Sequence, residues 1–72
     1  MAPAPPANEA ITKAKDAANV KLLLTAAGDL HYIAGLHADE APRLRLVVSA
    51  LRAVAEDGTP QERAGLAFWL RP

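Results

Sequence analysis

Proton transfer or metal ligation would fall first to His31 and His37, the two histidines in a chain of 72 residues. Six positions apart on a helix, they point about 120° away from each other and do not converge on one ion. The HExxH arrangement, which sets two histidines on one helical face, is absent. His31 with Tyr32 is expected as a partly buried polar rim, and His37 in a turn. Hydrolysis needs a nucleophile with a base beside it. The one serine, Ser49, stands between Val48 and Ala50 with no Gly-x-Ser-x-Gly elbow. Thr12, Thr25 and Thr59 read as helix-surface or capping residues. Adjacent carboxylates occur at Asp39–Glu40 and Glu56–Asp57, both at expected helix ends, where capping and the helix dipole explain them. A carboxylate dyad also needs a cleft, which so short a chain is poorly able to enclose. Gly28, Gly35, Gly58 and Gly65 are isolated, so no phosphate-cradling loop is present. The sequence predicts no enzyme, no metal site, no cofactor and no small-molecule substrate.

Composition explains what must position the remaining residues. A chain of this length buries only about 60% of the surface its unfolded form exposes. Small domains therefore add disulfides, a metal or a partner chain. There is no cysteine, so disulfides and thiolate zinc sites are excluded. Association is the stabilising device left. Eight basic and eight acidic residues give zero formal charge, without the basic excess that phosphate binding favours. The first seven residues lack the basic and apolar regions of a signal peptide. No apolar run approaches the roughly 20 residues of a membrane span. A cytoplasmic protein is expected, and abundant alanine with more arginine than lysine suggests a GC-rich bacterial or phage genome.

Residues 1–7 hold Pro3, Pro5 and Pro6 and read as a disordered Pro/Ala-rich tail. Residues 8–72 read as a single small helical domain. Asn8 is the expected N-cap of a first helix, with Glu9 near its positive end and a Glu9–Lys13 pair at i,i+4. Ile11, Ala14, Ala18, Leu22 and Ala26 recur at helical spacing. Val20, Leu23, Leu24 and Ala27 form a second stripe on the opposite side, so burial on two sides is expected. At Gly28–Asp29 the helix either breaks or runs on with a kink, the latter slightly favoured. Running on keeps Leu30, Ile33 and Leu36 in phase with the first stripe but puts Asp29 in its centre, where an unpaired carboxylate is costly.

His37 to Pro42 is a turn, with Asp39 expected to cap the next helix, Pro42 in its first turn, and Asp39–Arg43 at i,i+4. This second helix carries Leu44, Val47, Val48, Leu51, Val54 and Ala55 on one face. Its polar stripe, Arg45, Ser49, Arg52 and Glu56, is narrow. Leu46, Ala50 and Ala53 widen the apolar arc beyond what one antiparallel neighbour can cover. Asp57–Gly58 ends it, with Gly58 expected in the left-handed conformation. Thr59, Pro60 and Glu62 make a capping box with proline at the first helical position. A third helix therefore starts near residue 60 and carries Ala64, Leu66, Ala67, Phe68, Trp69 and Leu70. Phe68 and Trp69 diverge by about 100° and cannot both enter one small core. Trp69 either closes this chain's own core or meets another chain.

The expected fold is all-α: an antiparallel helical hairpin plus a short C-terminal third helix, with a homodimer as the expected assembly. Leu23, Leu24, Tyr32, Leu46, Arg45, Arg52, Phe68 and Trp69 are the candidate partner-binding residues. They suggest a non-enzymatic interaction protein, a small regulator such as an inhibitor, anti-activator or co-chaperone, that binds a partner protein or itself through an apolar helical face. One alternative is a small dimeric helix-turn-helix-like DNA-binding regulator, using the Thr59-capped helix and its Gln61, Arg63 and Arg71. That reading is disfavoured by the apolar remainder of that helix. A structural subunit of a larger assembly is another.

Overall fold

The computed structural model describes residues 7–71, all-helical with no strand among them. Helix α1 spans Ala7–Leu36, α2 Ala41–Asp57 and α3 Pro60–Leu70. The expected tail lies outside the described residues except Ala7, which opens α1. Asn8 sits inside α1. Its Oδ1 accepts from the Glu9 amide at 3.0 Å, and its carbonyl accepts from the Thr12 hydroxyl at 2.7 Å. Alanine, leucine and lysine, all strong helix formers, dominate α1. The helix runs unbroken through Gly28 and Asp29, and both are exposed.

Asp29 is tolerated there because the stripe it interrupts is not the buried one. The residues of α1 that face inward are Asp16, Asn19, Leu23, Ala27, Leu30 and Ala34, spaced three or four apart. Leu23 and Ala27, assigned above to the second stripe, have no exposed surface. Of the first stripe, Ile11, Ala14 and Ala18 are exposed, while Leu22 and Ala26 are half-buried. Burial on two sides is therefore not found within this single chain.

A 30-residue helix is about 45 Å long and a 17-residue one about 25 Å, so α2 can line little more than half of α1. The chain turns back through His37 to Glu40, where the Glu40 amide donates to the His37 carbonyl at 3.0 Å. Asp39 does not cap α2. The cap position is Glu40, whose backbone is already helical and whose side chain makes no capping bond. A capping side chain needs an extended backbone to reach back to the free amides. Pro42 lies in the first turn as expected. Helix α3 packs mainly on α1 and barely touches α2, which makes α1 the common support.

The core is Leu23, Ala27, Val48, Leu51 and Ala55, with Val20, Ala26, Leu30, Val54, Leu66 and Leu70 packed around it. Of the buried apolar residues, Ala27, Ala34, Ala41, Ala55 and Ala67 are alanines. Small side chains at helix contacts permit axial separations near the low end of the usual range of about 8–10 Å. Closely approached helices leave little interior room for bulky side chains.

Gly58 ends α2 in extended backbone, φ −78° and ψ 171°, not in the expected left-handed conformation. What demands glycine is a close approach: a Cβ placed there would lie 2.5 Å from the Val54 carbonyl oxygen, which accepts from the Gly58 amide at 3.0 Å. Conformational freedom alone would favour Gly58→Ala, but the backbone clash reverses the sign. A net loss of about 1–2 kcal/mol is expected in urea unfolding. A variant as stable as the parent would show that the turn relaxes freely.

Candidate interaction surface

The placement of α3 follows from its own sequence and from two arginines. Thr59 Oγ1 accepts from the Glu62 amide at 3.1 Å, and Glu62 Oε1 accepts from the Thr59 amide at 2.9 Å. This is the expected capping box, with Pro60 at the first helical position. Ala67 is fully buried, and Leu66 and Leu70 are half-buried beside the core. Arg63 then ties α3 to α1. Its Nε and Nη2 donate to the two oxygens of Asp16, each at 2.8 Å, and its Nη1 donates to the Gly58 carbonyl at 2.6 Å. Beyond the helix end, Arg71 Nη2 donates to Oδ1 of the buried Asn19 at 2.8 Å. Arg63 and Arg71 are thus turned toward α1, so two of the three side chains a DNA-reading α3 would present are engaged within the chain.

The hydrogen bond from Arg63 holds the Asp16 carboxyl below its ordinary value of 3.8; partial burial opposes this and the guanidinium charge adds to it. A carboxyl with a depressed folded-state value stabilises the fold fully above its unfolded value and loses that contribution as pH falls through the folded one. Asp16→Asn should therefore lower stability at neutral pH and flatten the loss of stability below about pH 4. Superimposable acid-unfolding curves for the two proteins would remove Asp16 from that role. The i,i+4 pairs Glu9–Lys13 and Asp39–Arg43 do not close; among the described residues the ion pair is Arg63–Asp16.

With Ala67 and Arg63 inward, the outer face of α3 carries Phe68 and Trp69, 70% and 82% exposed. Their rings meet edge to face, centroids 5.7 Å apart, a favourable aromatic geometry. Trp69 does not close the protein's own core. The other candidate residues are distributed differently. Leu23 is fully buried, which corrects its assignment to a partner-binding face, because the α1 stripe it belongs to is the one facing inward. Its neighbour Leu24 is exposed. Tyr32 and Leu46, 68% and 73% exposed, lie toward the hairpin turn. His31 and Tyr32 are exposed, not partly buried as expected. Arg45 and Arg52 are exposed on the polar stripe of α2, with Ser49 and Glu56.

These residues do not form one surface. Phe68 and Trp69 sit where α3 is pinned at Asp16 and Asn19. Tyr32 is thirteen residues beyond Asn19 on α1, about 20 Å along the axis. Ile33 and Leu36, also exposed, extend the Tyr32 end; they are in phase with the first stripe of α1, one of the two expected to be buried. Among the described residues no three His, Cys, Asp or Glu side chains gather as a metal site requires, and no helix is long and apolar enough to cross a membrane.

No protein-family model, no curated protein and no solved structure matches this chain.

Proposed function

We propose that this chain is a protein-interaction module, a small regulator that acts by occupying a partner's surface, with Phe68 and Trp69 of α3 at the centre of the contact. One observation carries the reading. Alanines fill most of the buried positions, while Phe68 and Trp69, in edge-to-face contact with each other, stand outside. Aromatic side chains bury about 150–250 Å² each, and contiguous apolar exposure on that scale marks contact sites. Trp is also among the residues that most often dominate binding energy. Arg63 and Arg71 fix the helix that presents the pair, so the aromatic face is held in place before contact.

The test compares the parent with a Phe68→Ser/Trp69→Ser double variant, each immobilised and challenged with protein from the cells that make it. Both substitutions lie outside the core, so helicity should be unchanged, with stability within about 0.5 kcal/mol. Retention of a partner, whether another protein or the chain itself, should fall by at least about thirtyfold. Equal retention by both proteins, or none by either, would refute the proposal.

A further inference from the structure

We propose that α1 belongs to two separate opening units: its leading part, up to about Asn19, opens together with α3, while its trailing part stays packed on α2. Arg63 is the latch that holds the first unit closed.

Length sets the division. From the turn after Leu36, the 17 residues of α2 run back along α1 for about 25 Å, which reaches the neighbourhood of Val20. Every buried member of the core cluster belongs to α1 or α2: Leu23, Ala27, Val48, Leu51 and Ala55. Leu66 and Leu70 of α3 are only partly buried against it. The hairpin therefore keeps its own core when α3 leaves.

Toward the start of α1 the chemistry changes. Residues 7–15 are exposed, and the first inward-facing side chains are a carboxylate and an amide, Asp16 and Asn19. Both accept their hydrogen bonds from the α3 side, Asp16 from Arg63 and Asn19 from Arg71. Helix α3 in turn barely touches α2, so α1 is its main support. A free helix of 11 residues is marginal in water, and so is an unsupported leading stretch of α1. Each is held by the other, and loss of the contact frees both. Little apolar area and few hydrogen bonds resist that opening, which sets its free energy below that of the hairpin.

Arg63 stands at the joint. Its Nη1 donates to the Gly58 carbonyl between α2 and α3, while Nε and Nη2 donate to the two oxygens of Asp16. One planar guanidinium thus fixes both the angle at which α3 leaves α2 and the seat of α3 on α1. A lysine ammonium carries the same charge without that fork. The latch works by geometry as well as by charge, so lysine does not restore it.

Residue-resolved hydrogen exchange of the full chain at low urea tests this, in the parent and in Arg63→Lys. In the parent, the amides of residues 16–20 and 64–70 should open with one shared free energy and urea dependence, both lower than at Val48 and Leu51. In Arg63→Lys both segments should exchange at least about tenfold faster and by the same factor, while Val48 and Leu51 change by less than about twofold. Residues 16–20 are the deciding readout, because fraying of α3 alone leaves them unchanged; that outcome would overturn the proposal. So would a parent whose three helices open with a single free energy, a result that needs no variant to fold. Exchange in Arg63→Lys matching the parent would overturn the latch, since charge alone would then hold the joint.

Discussion

Leu23→Ala is expected to lower folding stability by about 2–5 kcal/mol, while Leu24→Ala, one residue further on, changes it by less than about 0.5 kcal/mol. Leu23 is the large side chain with no exposed surface, and it packs with Ala27, Val48, Leu51 and Ala55. The cost within that range depends on how far these neighbours can close over the space a deletion leaves. A domain of this length commonly has a total stability of about 4–11 kcal/mol. The variant should therefore lose a large share of its stability, and circular dichroism with urea titration would show it as a lower unfolding midpoint. Similar losses at Leu23 and Leu24 would mean that both stripes of α1 are buried in solution.

Ala67→Leu should release α3 while leaving the α1–α2 hairpin folded. Ala67 is fully buried. Three additional carbons at a close helix contact cost about 1–3 kcal/mol when the backbone cannot move. Here it can move, because α3 rests mainly on α1 and hardly on α2. The strain is relieved most cheaply by lifting α3 and breaking the Arg63–Asp16 and Arg71–Asn19 bonds together. Hydrogen exchange should then accelerate through residues 60–70 and stay slow around Leu23 and Leu51. Acceleration spread equally over all three helices would show instead that the chain unfolds as one unit.

The three helices and the turn between α2 and α3 were readable because local chemistry determines them. Thr59, Pro60 and Glu62 satisfy free amides within four residues of one another. Asp39 was misread for the complementary reason: its residue type suits a cap, but capping depends on a backbone conformation that the turn does not adopt. The inward face of α1 was not readable. Leu22, Leu23 and Leu24 point in three directions, and a helix apolar on nearly all sides offers no contrast by which to choose among them. Only the position of α2 and α3 decides. Arg63–Asp16 and Arg71–Asn19 span 47 and 52 positions, so no spacing rule reveals them. The exterior placement of Phe68 or Trp69 was half legible, since their divergence barred one of them from the core. That both lie outside follows from Ala67 and Arg63 occupying the inward face.

Every residue of α1 from Ala7 to Lys15 is exposed. Its first two and a half turns have no neighbouring helix to hold them, and an isolated helical stretch of that length is marginal in water. Unzipping can start at that end at little cost. It meets its first long-range tether at Asp16, where the guanidinium of Arg63 grips both carboxylate oxygens. That grip works as a firebreak: breathing at the helix end stops there and does not run into Asn19 and Leu23, so a loosely held leading arm and a firmly held centre coexist in one continuous helix.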